Sequence, residues 1–387
     1  MPNYDKDLAR WMPRLIAVWR KARRGTAGGP PDRLTPQELR EVAAGVRTLS
    51  LGLTRERRLA GARYMDDPKL LGAYLLFYWP VSYAQARQVL GELPRRPRQA
   101  LDLGAGPGPV AFAALDAGAV EVTAADRSRP ALELATKLAA EAGEALATRS
   151  WDPLSKASIP DGTFDLITLG HVLNELYGMD DAALKKRADL VEQLLARLKP
   201  GGTVVILEPA LRDTSRQLLR VRDLLVDRGY TVRAPCLFRG HCPALARESD
   251  WCHAEREWTM PRAVEELART AQLHKESLKM SYLALAPKGE AWRAPPEGRV
   301  LRIVSEPLEG KGRQRFMACG PEGRVGLALQ EKHRTAKNAA FFHLRRGDVI
   351  RIGATEEKGD GFALRPDSEV KVIAPAGKGL PEPWESP

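Results

Sequence analysis

Ala100-Leu101-Asp102-Leu103-Gly104-Ala105-Gly106-Pro107-Gly108-Pro109 decides how the rest of this 387-residue chain is read. Leu101 and Leu103 supply the apolar side chains of a buried strand. Gly104, Gly106 and Gly108 let the backbone turn tightly and lie against a ligand where a Cβ would collide. Pro109 suits the first turn of a helix, because the N–H it lacks would be unpaired there. The helix is predicted over Val110–Ala117, and Gly118 stops it. Strand, glycine turn and helix in this order form a nucleotide cradle. Pro109 stands where the dinucleotide fingerprint requires its third glycine, so the turn alone does not choose the nucleotide.

Outward from the cradle, residues 99 to about 290 alternate strand and helix. Strands are predicted at Val120–Ala125, Leu146–Arg149, Phe164–Leu169 and Thr203–Leu207. Helices are predicted at Ala131–Ala142 and Ala182–Leu198, the second stopped by Lys199-Pro200-Gly201-Gly202. Such alternation predicts a doubly wound, mostly parallel α/β sheet with helices on both faces. Its ligand edge, beyond the C-terminal strand ends, would gather Gly104–Gly108, Asp126, Asp152, His171 and Glu208. Before the cradle, residues 1–96 read as helical: Leu8–Arg20, a helix capped by Thr35 with Pro36 in its first turn, and Leu70–Leu93. The aromatics Tyr74, Phe77, Tyr78, Trp79 and Tyr83 of the last segment are weighed toward core packing. After about 297, short runs at Val300–Val304, Gln314–Ala318, Val325–Leu329 and Asp348–Ile352 suggest a small antiparallel barrel or sandwich, with Pro375–Pro387 as a loose tail. The expected division is 1–96, 97–292 with a cysteine-bearing loop at 231–258, and 293–387.

The chain is 44% hydrophobic and 28% charged, with a net charge of +11. A basic balance of this size favours a polyanionic partner, nucleic acid before membrane. No run reaches the roughly 18–20 apolar residues of a membrane span. The start lacks a secretory pattern, so a cytoplasmic location is expected. Four cysteines in such a chain do not form a disulfide framework.

Asp126 lies 20 residues beyond Gly106, at the end of the second strand. A carboxylate there can accept both ribose hydroxyls, which fits NAD or S-adenosylmethionine alike. Leu101-Asp102-Leu103-Gly104-x-Gly106-x-Gly108, the acidic end of the second strand, Asp165-Leu166-Ile167 and Leu198-Lys199-Pro200-Gly201-Gly202 together resemble class I S-adenosylmethionine-dependent methyltransferases. The resemblance implies a Rossmann-like fold, with Gly104, Gly106 and Gly108 facing the methionine and ribose and Asp126 on the ribose. It places Asp152 near the adenine, although Asp152 before Pro153 is also a turn former. Asp102 would help hold the loop. No Asn-Pro-Pro-Tyr clamp follows the fourth strand; Gly170-His171-Val172-Leu173-Asn174-Glu175 stands there instead. His171 lies where it could contact the cofactor, and His171 and Glu175 are the candidates for base and orienter. A lone histidine at a strand end is also a common structural group.

Cys236, Cys242, Cys252 and Cys319 are the four cysteines, with no tight Cys-x-x-Cys knuckle of the zinc kind. Irregular spacing in loops suits an iron–sulfur cluster, His241 and His253 keep zinc open, and unrelated buried thiols are the plain alternative. Pro235-Cys236-x5-Cys242-Pro243 followed by Trp251-Cys252-His253 resembles the methyltransferase-like small-ribosomal-subunit assembly proteins of bacteria and mitochondria. Tyr74-Leu75, Pro80-x-x-Tyr83, Tyr282-Leu283, Arg302-Ile303-Val304-x-Glu306-Pro307 and Phe316-Met317-Ala318-Cys319 match as well. This resemblance implies a four-cysteine [4Fe–4S] site, with Cys319 joining the three inserted cysteines across two domains. It also implies association with small-subunit ribosomal RNA or the pre-ribosomal small subunit, as a monomer away from the ribosome. The competing functions are an active rRNA methyltransferase and a small-molecule methyltransferase with structural zinc.

Two basic surfaces are candidates for RNA. The C-terminal one carries Arg313, Arg315, Lys332, His333, Arg334, Lys337, Arg345 and Arg346, with Phe341-Phe342 as stacking aromatics. The first helix offers Arg10, Arg14, Arg20, Lys21, Arg23 and Arg24.

Overall fold

Thr35 opens the clearest local structure in the N-terminal region. Its Oγ1 accepts from the Glu38 N–H and Glu38 returns a bond to the Thr35 N–H, closing a capping box. The computed structural model describes residues 4–23, 29–154, 159–290, 297–359 and 361–380. Helix α1 (Tyr4–Ala22) and α2 (Pro36–Ser50) are followed by α3 (Pro68–Ala73), a π-helical turn at Tyr74–Tyr78, and α4 (Trp79–Leu90). Glu38 also holds Arg20, whose Nε and a terminal nitrogen both lie 2.8 Å from its carboxylate. Arg20 is therefore buried, and the sequence reading of it as an RNA-facing residue is corrected.

The aromatic stripe is core, as weighed. Trp79 stacks on Tyr83 at 5.2 Å, and Trp11 of α1 packs at 4.8 Å on Phe112. The Trp79 indole N–H donates to the Pro107 carbonyl at 3.0 Å, which ties the helical region to the glycine turn.

The first sheet contains β1 (Gln99–Leu103), β2 (Glu121–Asp126), β3 (Ala147–Ser150), β4 (Phe164–Gly170), β5 (Leu198–Pro209), β6 (Thr231–Ala234), β7 (Ala254–Arg256) and β8 (Leu278–Ala286). Between them run α5 (Pro109–Asp116), α6 (Arg129–Ala142), α7 (Asp181–Leu195), α8 (Arg212–Asp227) and α9 (Arg262–Thr270). The strand order is β3-β2-β1-β4-β5-β8-β6, with β7 beside β8. The first five strands are parallel, whereas β8 is antiparallel to β5, β6 and β7. Period-two alternation sends Ala100, Leu166 and Val205 into the core shared with α1–α6, and Leu101, Ile167 and Val204 into the core beneath α7 and α8. This is the doubly wound α/β fold of class I methyltransferases. Two details differ from the sequence reading. Helix α7 ends at Leu195, so Lys199–Gly202 belongs to β5 rather than to a helix stop, with a register shift opposite Phe164 and Leu166. The 231–258 stretch is not all loop, because β6 and β7 pair on the antiparallel edge.

The second sheet contains β9 (Arg299–Ile303), β10 (Leu308–Gly310), β11 (Arg313–Gly320), β12 (Gly323–Gln330), β13 (Val349–Ile352), β14 (Thr355–Lys358), β15 (Gly361–Leu364) and β16 (Val370–Ala374). Its order is β14-β15-β12-β11-β9-β13-β16, with β10 on β11. Among the described residues the end strands β14 and β16 do not pair, and β12–β15 is parallel, so the expected antiparallel barrel is instead an open mixed sheet. Residues 375–380 are not a loose tail: the Gly379 N–H donates to the Gly91 carbonyl and the Ala376 N–H to Asp348. The remainder, 381–387, lies outside the described residues, as does the expected boundary at 292/293.

Glu92, in the segment joining α4 to β1, is buried and accepts from Arg256 at 2.9 Å, Tyr282 at 2.7 Å and Arg302 at 3.1 Å. One carboxylate thus joins the helical region, the first sheet and the second sheet. Burial pushes its pKa up, but Arg302 and Arg256 outweigh burial and the net shift is downward. A depressed carboxyl stabilises the fold above its unfolded pKa and loses that stabilisation as pH falls. Glu92→Gln should cost about 3–5 kcal/mol at pH 7, because it leaves two guanidiniums without their counter-charge. In urea unfolding followed by tryptophan fluorescence, the difference from wild type should shrink as pH drops below the glutamate range.

Candidate functional site

The glycine turn is possible only with glycine. Gly104, Gly106 and Gly108 have φ of 68°, 53° and 83°, in the left-handed region. A Cβ on Gly104 would lie 2.2 Å from Val172 Cγ2. Asp126 braces the turn: one carboxylate oxygen accepts from the Gly106 N–H and the other from the Ser128 N–H, both at 2.7 Å. Asp102 is buried behind it, accepting from the Ala111 N–H at 3.0 Å and the Thr168 hydroxyl at 2.6 Å, and so links β1, α5 and β4. Burial raises Asp102 to about 7 despite these bonds.

Beyond the strand ends lies a cavity of about 320 Å³. Gly104, Asp126, His171 and Glu175 line it, and so do Trp151 and Pro153 on either side of Asp152. Asp152 itself accepts from the Leu154 N–H at 3.0 Å, the turn-forming bond. The outer wall comes from residues 51–66, which the sequence reading did not single out. Arg127 donates to the Gly61 and Ala62 carbonyls, each at 2.8 Å. Ser128 donates to Asp66 at 2.7 Å, Glu175 accepts the Gly61 N–H at 3.0 Å, and Arg57 donates to Asn174 at 2.6 Å. Two π-helical turns, Leu51–Arg55 and Tyr74–Tyr78, contribute wall residues, and such turns concentrate at functional sites. Strain concentrates there too: Arg57 and His171 line the cavity at φ of 57° and 62°.

His171 Nε2 lies 2.9 Å from Gln85 Oε1, and the Gln85 amide donates to the Lys279 carbonyl at 2.9 Å. With the amide oriented by that carbonyl, the imidazole carries its proton on Nε2. The orienter of His171 is therefore Gln85, and Glu175 is bonded to the wall segment instead. Burial, then the Lys275 ammonium, lowers His171 to about 4. Burial raises Glu175 to about 7 and Glu208, at the end of β5, to about 8.

A second cavity, lined by Cys236, Cys242, Cys252 and Cys319, lies where β6, β8 and β11 meet. Cys236 follows β6, the Cys242 N–H donates to Asp223 at 3.0 Å, and the Cys252 carbonyl accepts from Ser281 at 3.2 Å. Cys319 arrives from β11 of the second sheet. Burial, then the nearby Cys236, raises Cys252 to about 11 and Cys319 to about 12. Among the described residues, no three His, Cys, Asp or Glu side chains converge tightly enough to hold a metal ion. His241 is exposed and paired with Asp227 at 2.8 Å, and His253 stacks on Trp251 at 4.1 Å.

A family model described as mitochondrial small ribosomal subunit Rsm22 matches residues 69–362, about three quarters of the chain. The chain belongs to the Rsm22 family. The match runs from α3 into β15 and includes the whole cysteine cavity, while the 51–66 wall of the first cavity lies before it. No curated protein matches. Among solved structures, this Rsm22-family chain is similar to a ribosomal protein L11 methylase from Lactobacillus delbrueckii subsp. bulgaricus, at 18% identity over 54% of this chain and 78% of that one, with a TM-score of 0.31. A putative RNA methyltransferase from Pyrococcus horikoshii matches at 13% identity over 55% and 84%, with a TM-score of 0.33. An S-adenosylmethionine-dependent methyltransferase from Leishmania major matches at 17% identity over 65% and 85%, with a TM-score of 0.37. The family description is mitochondrial, whereas the sequence reading expects the cytoplasm. Among the described residues no helix is long and apolar enough to cross a membrane.

The two basic surfaces divide. Arg313, Arg315, Lys332, Arg334 and Lys337 are exposed and His333 is half-buried. Arg346 turns inward to His253 and Glu306, and Arg345 pairs with Glu257 at 2.6 Å. Phe341 is core, edge-on to Phe316 at 5.2 Å, and Phe342 is half-buried under Arg334 at 4.9 Å. The expected stacking pair is thus corrected for Phe341, whose ring fills the hydrophobic centre of the second sheet. On α1, Arg10, Lys21 and Arg23 pair with Asp116, Glu141 and Glu41. Arg14 is half-buried and donates to the Arg10 carbonyl. Arg24 lies outside the described residues.

Gly104→Ala should cost roughly 2–4 kcal/mol, from left-handed strain and overpacking together. Adding Val172→Ala should return the overpacking part and leave about 1 kcal/mol, a partial rescue readable in chemical denaturation midpoints.

Proposed function

We propose that this chain is an assembly or translation factor of the small ribosomal subunit that binds S-adenosylmethionine in the first cavity and a [4Fe–4S] cluster in the second. The carrying observation is that the Rsm22 match covers the glycine turn, all four cysteines, the whole first sheet and most of the second. Three units are proposed: 1–96 as cover, 97–292 as the cofactor-binding unit, and 293–387 as the RNA-facing unit. The factor acts as a monomer away from the ribosome. Its compartment is wherever small subunits are assembled, the cytoplasm in the sequence reading and the mitochondrion in the family description.

The first cavity suits a sulfonium nucleoside. Gly104 leaves room for close approach of the backbone, Asp126 stands at the second-strand end where ribose hydroxyls are accepted, and Trp151 offers a flat apolar wall beside Asp152. Gly106, Gly108 and Asp102 act by shaping the turn. The bound cofactor supplies an electrophilic methyl group. Glu175 is protonated at low pH and becomes an anion as pH rises through about 7. An anionic wall favours the cationic sulfonium over its neutral thioether product. The preference for S-adenosylmethionine over S-adenosylhomocysteine, measured by calorimetry, should therefore rise between pH 6 and 8. Glu175→Gln should flatten that rise.

The second cavity suits a cluster better than a lone ion. The four thiols line one space, and four is the number of thiolate ligands such a cluster takes. Burial and repulsion disfavour the thiolates of Cys242, Cys252 and Cys319 there without a cation, and a bound cationic centre reverses that penalty. Arg256, Arg302 and Arg324 also line this space, and their Nε–H groups are buried without partners among the described residues. When bound, the group links the two sheets and provides a one-electron redox couple. Cys319→Ser should remove most of the iron and the visible absorption of anaerobically purified protein. A full cluster in that variant contradicts the four-cysteine site.

The exposed cations of the second sheet are proposed to track the phosphate backbone of small-subunit RNA. Co-sedimentation with small subunits should be strong near 50 mM salt and weaken by roughly 10²–10³-fold by 200 mM, as expected for about five phosphate contacts. Salt-insensitive or absent co-sedimentation overturns the reading. An active rRNA methyltransferase is the second reading, favoured by the strained, Gln85-oriented His171 in the cavity wall. Transfer of a labelled methyl group to small-subunit RNA separates the two.

A further inference from the structure

Cys319 lies in β11 directly opposite Arg324 of β12 on one side and Arg302 of β9 on the other. Directly opposed residues of antiparallel strands project from one face, so the thiol emerges between two guanidiniums. Arg256 of β7 reaches the same cavity from the first sheet. The terminal nitrogens of all three are engaged. Arg256 binds Glu92 at 2.9 Å, Arg302 binds Glu92 at 3.1 Å, and Arg324 binds Asp250 at 3.1 Å. Their inner Nε–H groups are not: each is buried without a partner among the described residues. Buried donors are almost always paired. Three orphaned donors around one cavity point to an acceptor that belongs inside it.

We propose that Arg256, Arg302 and Arg324 form a donor layer around the cysteine-held group, their Nε–H groups hydrogen-bonding its sulfur atoms. This assignment rests on the iron–sulfur reading above. Hydrogen bonds to cluster sulfur strengthen as the group becomes more negative, so the layer stabilises the reduced state and raises the reduction potential. Net charge contributes less. Four arginines line the cavity, and Glu92, Asp250 and Glu306 pair with them, leaving one cation in excess. The carboxylates hold terminal nitrogens and leave each inner N–H without a partner among the described residues. The second sheet thereby contributes more than its one thiol, because two of the three donors flank that thiol on neighbouring strands.

The test is a redox titration followed by electron paramagnetic resonance on the anaerobically purified full-length chain. Arg324 is the residue to change, because its partner Asp250 is 34% exposed and tolerates the loss. At the wild-type midpoint potential, Arg324→Met, which has no donor at the Nε position, should shift the oxidised-to-reduced ratio about tenfold toward oxidised, ~59 mV for a one-electron couple. Arg324→Lys should stay near the Met variant, since it returns the charge without the inner N–H. A lysine variant that regains the wild-type potential means a field effect and overturns the donor assignment. Unchanged potentials in both variants, with iron and sulfide contents intact, overturn the donor layer and leave the cluster reading standing. Wild-type protein free of iron and sulfide overturns the cluster reading itself. If the variants lose the cluster, resonance Raman spectra of wild type in H₂O and D₂O decide: shifted iron–sulfur stretches support the N–H···S bonds, and identical spectra refute them.

Discussion

One buried carboxylate holds the architecture together. Glu92 sits at the end of the helical region and accepts from Arg256 of β7, Tyr282 of β8 and Arg302 of β9. Ionised carboxylates are expensive to bury, and two guanidiniums and a phenol are what make this one tolerable. The arrangement also fixes the cysteine cavity, because Arg256, Tyr282 and Arg302 all line it. Three separate stretches of chain must be in register before the cavity exists. The helical region is thus part of the cysteine site, although none of its residues is a cysteine.

The same helical region shapes the first cavity. Trp79 fixes the glycine turn through the Pro107 carbonyl, and Gln85 fixes His171. Residues 51–66 close the wall by bonding to Arg127, Ser128, Asn174 and Glu175. Every anchor of that segment is a residue near the C-terminal edge of the first sheet. The first cavity therefore lies between this clasp and the strand ends.

Periodicity and turn chemistry made the first sheet legible. Leu101 and Leu103 before three glycines, and Asp126 20 residues past Gly106, are local signals with one common outcome. The capping box at Thr35 and Glu38 was equally local. What could not be read was long-range partnership. Arg20 looks like one more cation of a basic helix, and only the fold reveals that Glu38 buries it. Phe341 next to Phe342 looks like a stacking pair until Phe316 claims one ring. Residues 51–66 have no apolar period, so nothing in their order announces a cavity wall. Gln85 lies within a helix that reads as core, and its bond to His171 spans 86 residues. Arg324 carried no signal either, since its meaning depends on the strand register that sets it beside Cys319.

The two cavities differ in the sign of what they are built to receive. The first is walled by carboxyl groups that burial holds near neutrality, Glu175 at about 7 with Glu208 at about 8 close by, and the nearby histidine is kept uncharged. Such a wall becomes anionic most readily when a cation enters, because the incoming charge offsets the desolvation that raised the carboxyl groups. The second is walled by arginines and thiols, and once the thiols ionise around a bound centre the assembly is anionic overall and offers several acceptors to the guanidiniums. Neither wall is self-sufficient. Carboxyl groups in one and Nε–H groups in the other carry unspent capacity for a partner, at the price of stability in the empty fold. The clasp 51–66 and the Glu92 junction are what let the chain carry both penalties, since each ties a cavity wall to the helical region through several hydrogen bonds.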